Sequence, residues 1–453
     1  TNAVPVDGRH SLPLVYVGLG KAEDYPGKDV AGKLALVSRG EITFAEKVAN
    51  ATKAGAWGVL IFNNRPGLLL AGAGNPGEVS IHGLTIEQQP GLALVDLLQR
   101  GPVQVEVSGT AVSPYFYDLL LPEPQRVPPA LGYRIDPDNT ATIDTAYTSD
   151  TATALGTDVR HIARPWPTFS VAFAREVPRP LRRTYLVSAN DTRWWHIAWS
   201  NAPFDGEFDS SFVRYRGREH LTEQWFGRPS RPGVSALADT QVTRTGDEFT
   251  MAVFPFSDAG GHYGWNSAGD EYTTKLYAGN ELLHESGAPP IGTFPALSTP
   301  ATYRLTLDAK RSAPWSLYAT ETNTSWTFGS RRPPPNRTEN PALPQVDYRI
   351  PLDERNRAFA GVMYPLALRV GHVPGASGRD IREVQAWMSA NDGATWQRID
   401  LIRLGHGTVI ALVRHPRLAD TTGAISLRVR ATDAAGNGVD QTVIRAYGLK
   451  SLG

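Results

Sequence analysis

Residues 34–64 read "LALVSRGEITFAEKVANATKAGAWGVLIFNN". "LALVS" (34–38) and "GVLIF" (58–62) are short apolar runs suited to buried strands. Between them Phe44, Val48, Ala51 and Gly55 recur near i, i+4, i+7 and i+11, one face of a helix. Thr43 is placed to cap that helix and Gly55 to end it. Enzymes often build active sites on a strand–loop–helix–strand unit, so the loop "SRGEITF" (38–44) decides what kind of unit this is. A dinucleotide site needs G-x-G-x-x-G there, and a P-loop needs G-x-x-x-x-G-K-[ST]. This loop has one glycine, and Glu41 already occupies the helix end that an anion would want. The unit is not expected to bind phosphate. Outward from it, "LPLVYV" (12–17) reads as another strand, "GLALVDLLQR" (91–100) as a second helix, and Val103, Val105 and Val107 as a closing strand.

The chain has 453 residues, which predicts about three domains. A formal net charge of 0 argues against nucleic acid or an anionic membrane as the main partner, since both call for a basic surface. No stretch approaches 18 uninterrupted apolar residues, so no membrane span is expected. There is no cysteine, which excludes disulfides, thiolate metal sites and a cysteine nucleophile. The start "TNAVPVDGRH" has neither Met nor a signal peptide and reads as a mature or excised segment. Arginine far exceeds lysine, and Ala, Gly and Pro are abundant, a bias typical of GC-rich genomes.

Beyond about residue 109 nearly every ordered pattern has period two, with Pro and Gly breaks, as in β-sandwiches. Strands are expected at 168–174, 183–189, 194–200, 211–216, 248–256, 272–278, 301–307, 315–320 and 325–330. Gly279-Asn280 in "AGNELL" signals a hairpin. "SRRPPPNRTENPALPQ" (330–345) has the composition of a linker, and the strand patterns after it suit a sandwich of immunoglobulin size. The expected fold is multidomain and mainly β: an α/β domain at 1–112, a β-sandwich or jelly-roll-like region of one or two domains at 113–329, the linker at 330–345, and an immunoglobulin- or fibronectin type III-like sandwich at 346–453.

"GKLALVSRGEITFAEKVANATKAGAWGVLIFNN" resembles a protease-associated domain through Lys33, Arg39, Gly40, Phe44, Lys47, Ala54, Gly55, Ala56 and Asn63, and "IHGLTIEQQPGLALVDLL" (81–98) resembles its second half. Such domains are non-catalytic modules of subtilases, some metallopeptidases and sorting receptors. "SPYFYDLLLPEP" (113–124), "WFGRPSRPG" (225–233), "TSWTFGS" (324–330) and "VRATDAAGNGVDQTVIRAYGL" (429–449) resemble, more loosely, the carboxy-terminal extensions of secreted actinobacterial subtilisin-like serine peptidases. The resemblance implies a secreted accessory region that follows a catalytic domain. Its partners would be that domain and protein or peptide substrates, with cell-wall glycan as a further candidate.

No catalytic, cofactor or metal residue is assigned. A subtilase needs D-[ST]-G, H-G-T-H and G-T-S-x-A; "HGT" at 406–408 is followed by Val409 and reads as a turn entering a strand. No G-x-S-x-G occurs. The ten histidines form no H-E-x-x-H or H-x-H pair. "IDPDNTATID" (135–144) lacks the Gly and the final Glu of a calcium loop and reads as a polar turn. "SANDGATW" (389–396) resembles a sialidase Asp-box with Asn391 for Asp, and reads as a structural turn over Trp396. One candidate recognition surface remains, "TRWWHIAWS" (192–200) with Trp194, Trp195 and Trp199. Alternation puts Trp195 and Trp199 on one face and Trp194 on the other with His196 and Ala198. One face should be core; the other is either covered or an aromatic platform for peptide or sugar. A free-standing secreted binding protein for cell-wall glycan or protein is therefore the alternative to a peptidase accessory region.

Overall fold

The structure is a computed structural model. It describes residues 4–452 apart from 70, 73–78, 122, 124, 125, 131, 164–169, 191, 201–204 and 235–240. The chain forms two compact units, Thr1–Pro114 and Tyr115–Gly453.

The first unit is α/β. Its sheet runs in the order His82–Ile86, Gly58–Phe62, Leu34–Ser38, Gly8–Tyr16, Val103–Gly109, parallel throughout except for the last strand. The two central strands, Leu34–Ser38 and Gly58–Phe62, are buried on both faces, hence their continuous apolar runs. Helix Phe44–Lys53 lays Val48 and Ala51 on one face against Ala35, Val37, Val59 and Ile61. Thr43 caps it reciprocally with Glu46: Thr43 N–H donates to Glu46 Oε2 at 2.8 Å, and Glu46 N–H donates to Thr43 Oγ1 at 3.2 Å. Gly55 ends it at φ 76°, a left-handed conformation that costs glycine nothing. Phe44 is half-buried at the rim of this core. Helix Gln88–Arg100 covers the other sheet face, where a side chain on Gly91 would run into the ring of Phe62.

The second unit is almost entirely β. Its first sandwich has a four-stranded sheet, ordered His220–Trp225, Thr140–Tyr147, Leu181–Ser188, Tyr115–Asp118. Facing it is a five-stranded sheet, ordered Tyr263–Gly264, Glu207–Asp209, Arg193–Trp199, Ala154–Ala163, Ser170–Arg179. Farther along the chain, a nine-stranded sheet packs against two four-stranded ones around one large core. Strand Glu321–Ser330 pairs with Gly438–Lys450, and Leu343, Val346 and Tyr348 share that core with Trp326 and Phe328. Trp326 Nε1 donates to Pro344 O at 3.0 Å, so the Pro-rich stretch 330–345 runs along a shared core. The molecule is thus multidomain and mainly β, with mostly antiparallel sheets after an α/β module; strands His220–Trp225 and Tyr115–Asp118 are the parallel members of the first four-stranded sheet.

Two expected strands are not formed. Residues 211–216 make only a single bridge, Val213 with Trp194. Residues 315–320 turn back on themselves, because Tyr318 N–H donates to buried Asp150 at 3.2 Å and Ser316 Oγ accepts from Arg228 at 2.9 Å. Part of the expected strand 168–174 lies outside the described residues. The Gly279 hairpin is present, and His406 and Gly407 turn into strand Thr408–Arg414. In 389–396, Asp392 and Gly393 take positive φ, while the Ser389 hydroxyl accepts from Asn391 and Gly393 N–H.

Candidate functional site

Strand Arg193–Trp199 divides its side chains between two environments. Trp194, His196 and Ala198 point into the first sandwich, and Trp194 is 1% exposed with its indole N–H donating to Ser188 O at 2.8 Å. Trp194 is a core residue. Trp195, Ile197 and Trp199 point outward. Their cross-strand neighbours are His161, Val159 and Thr157 on one side, with Asp209 and Glu207 opposite Ile197 and Trp199 on the other. Tyr263 lies opposite Asp209 in the next strand. Directly opposed residues share a face, so this outward surface gathers aromatic rings and two carboxylates.

Its geometry is tight. His161 stacks on Trp195 with centroids 4.7 Å apart, and Phe212, 38% exposed, tilts against Trp195 at 5.8 Å. Tyr263 and Trp265 both pack on Phe254, at 4.4 and 5.1 Å. Trp199 Nε1 donates to Glu207 Oε2 at 2.5 Å and Trp265 Nε1 to Asp209 Oδ2 at 2.8 Å. Trp199 and Asp209 are buried, whereas Trp195, Tyr263, Trp265 and Glu207 are half-buried. Among the described residues Asp209 Oδ1, sealed from solvent, has no hydrogen-bond partner of good geometry, and Glu207 and Tyr263 are the other polar side chains that act on this carboxyl. Burial first, and then the charge of Glu207, push the Asp209 carboxyl up to about 8. Burial, then the charge of Asp209, push the Tyr263 phenol up as well.

The other face of the same strand holds a buried charge network. His196 Nε2 meets Asp158 Oδ1, and Tyr185 OH donates to Asp158 Oδ2 at 2.8 Å. Arg175 bonds Asp118, with Nη1 to Oδ2 at 3.0 Å. Arg160, fully buried, donates from Nη2 to Glu223 Oε2 at 3.1 Å and lies 4.2 Å over the Tyr185 ring. His262, held by Asp258 at 3.0 Å, stacks on Trp225 at 3.5 Å. Burial alone would raise Asp158, but His196, Arg160 and the Tyr185 hydroxyl outweigh it and pull Asp158 well below the usual carboxylate range. Arg160 and the two histidines do the same for Glu223. With its charges paired inside a packed sandwich, this network acts as a polar core.

Sequence reading assigned Trp194 to one face and Trp195 and Trp199 to the other; the structure puts Trp194 in the sandwich core and the other two on the opposite face, Trp199 buried and Trp195 half-buried. It missed Glu207, Asp209, His161, Phe212, Tyr263 and Trp265. The available signal was "GEFDS" (206–210), where two acids alternate around a phenylalanine, and "HYGW" (262–265). Among the described residues no cluster of three or more acidic or histidine side chains could hold a metal ion.

Comparison with known proteins bears on the first unit. Residues 10–94 match the family model described as the PA domain. This segment is a PA domain. It is similar to segments of bacterial peptidases. The minor extracellular protease Vpr of Bacillus subtilis (strain 168) is 41% identical over 90 residues, 20% of this chain and 11% of that protein. Aminopeptidase YwaD of the same strain is 41% identical over 85 residues, 18% of each chain. C5a peptidase of Streptococcus pyogenes is 58% identical over 50 residues, 11% of this chain and 4% of that protein. Among solved structures, the aminopeptidase from Aneurinibacillus sp. strain AM-1 matches with 32% identity and a TM-score of 0.20, over 26% of this chain and 33% of that one. The chain therefore spans less than a fifth of the length of these curated relatives.

Proposed function

We propose that this chain is a non-catalytic accessory region of a secreted bacterial peptidase, and within that class of a subtilisin-like serine endopeptidase whose catalytic domain lies outside residues 1–453. The observation that carries the reading is the PA domain at 10–94, with its similarity to an extracellular protease. In this role the PA domain and the β-sandwiches hold or admit protein substrate and stabilise the enzyme outside the cell. No helix among the described residues is long and apolar enough to cross a membrane. The peptide-bond chemistry belongs to a serine nucleophile supplied by that catalytic domain.

The test is to treat the complete gene product with a fluorophosphonate serine probe and map the label. Labelling of a serine outside this chain is the expected result; label within the chain, or a gene product with no reactive serine, would overturn it. The second reading, a free-standing secreted binding protein, is favoured by the half-buried face around Trp195. It requires a gene product with no peptidase activity of any class.

A further inference from the structure

Strands Met363–His372, Thr408–Arg414 and Ile402–Gly405 lie side by side in one four-stranded sheet, with Pro344–Arg349 at its far edge. Val346, Tyr348, Leu366, Leu368, Val409 and Ala411 point into the large core, so alternation turns the residues between them outward. The register sets Pro365 opposite Leu412, Ala367 opposite Ile410, and Ile410 opposite Ile402. Together they form an apolar strip on the outward face. Ile402 is 63% exposed, Leu404 61%, Leu412 62% and Met363 48%. Single exposed apolar residues need no explanation, but a strip of neighbours marks a contact surface. The charge on the same face has one dominant sign. Arg349 stands opposite Ala367, Arg414 opposite Met363, and Arg369 opposite Asp347. Asp347 is the only carboxylate in the four strands, and Arg231 already takes it. None of the three arginines forms an ion pair among the described residues.

We infer that this face docks an acidic amphipathic segment of another protein, with its apolar side on Pro365, Ile402, Ile410 and Leu412 and its carboxylates on Arg349, Arg369 and Arg414. The charge pattern chooses the occupant. The strip supplies apolar contact, and guanidinium groups without acidic partners call for carboxylates, which they hold through paired hydrogen bonds. A second copy of the same face would set arginine against arginine. An anionic bilayer calls for a cluster of about four to eight basic residues. This face offers three, in a chain of formal net charge 0. A neutral or basic partner would leave the arginines unmatched. The inference goes beyond the accessory-region reading and stands whether or not a catalytic domain accompanies this chain.

The experiment follows fluorescence polarisation of labelled peptides titrated with the whole 453-residue chain. The probe is four repeats of Leu-Leu-Glu-Glu, and its companions replace Glu by Lys, Glu by Gln, or Leu by Ala. Saturable binding of the probe is expected, at least tenfold tighter than that of any companion. Leu412→Ser and Arg414→Glu should each weaken it at least tenfold. Both positions are exposed, so both variants should melt with the parent. In the double variant Arg349→Glu, Arg414→Glu the preference should reverse, with the lysine peptide binding more tightly than the glutamate peptide. Absence of saturable binding would overturn the inference, as would equal binding of all four peptides or unchanged affinity in the variants. So would dimerisation of the chain that Leu412→Ser abolishes, or binding to phosphatidylserine vesicles that Arg414→Glu abolishes, since each assigns the face to a different occupant.

Discussion

Asp158 and Asp209 lie on opposite faces of one sheet, both almost fully buried, and their pKa values shift in opposite directions. The difference is their company. Asp158 faces His196, Arg175 and the Tyr185 hydroxyl, so its charged form is favoured by folding. That contribution is complete above the unfolded carboxylate value of about 4 and is lost as pH falls below it. His196→Ala should leave Asp158 under-compensated, lower stability by about 3–5 kcal/mol, and move acid unfolding to higher pH in thermal melts. Asp209 faces Glu207 instead, so folding favours its neutral form. The stability from this is full below the unfolded value of about 4 and declines as pH rises through about 8. Asp209→Asn should therefore stabilise the protein at pH 9 by on the order of 3 kcal/mol and change little at pH 5. A variant less stable than the parent at pH 9 would show that the carboxylate has an unseen cationic partner.

At the level of elements, the opening helix was legible because its cap, its face and its terminal glycine all agree, and the structure forms it over Phe44–Lys53. The alternation in 194–199 was equally legible, since a period of two leaves no other arrangement. What the sequence hid is which face is charged. In "TDVRHI" (157–162) the hydrophobic-in rule would turn Val159 inward and Asp158 and Arg160 outward. The structure does the reverse, because both sides of this sheet are covered and the charges find partners on other strands. Those partners lie 15 to 63 residues away, beyond any local pattern. Residues 211–216 were read as a strand from the same kind of local pattern: alternation was present, but the segment pairs with strand Arg193–Trp199 only at Val213. Helix Gln88–Arg100 offers a sharper test of packing. Gly91→Ala must push the helix off Phe62, and should destabilise the first unit by about 1–3 kcal/mol, read as a lower Tm of a 1–114 fragment.

Over the whole molecule, each of the two units has its own core. Within the second, Asp150 acts as a clamp. It receives Arg228 through two bonds, at 2.6 and 3.1 Å, and Asn356 Nδ2 at 2.9 Å, joining segments far apart in sequence. With strand Glu321–Ser330 zipped to Gly438–Lys450, cleavage in 330–345 should leave two fragments that stay together in gel filtration, the core they share melting in one transition. Fragments that part would mean that the shared core contributes little. The central claim, that this chain accompanies peptide hydrolysis without performing it, is tested most directly by incubating the purified 453-residue protein with casein and with aminoacyl anilides, with and without a serine inhibitor and a chelator. The account expects no turnover under any condition. Turnover that co-purifies with the chain and is abolished by either inhibitor would contradict it.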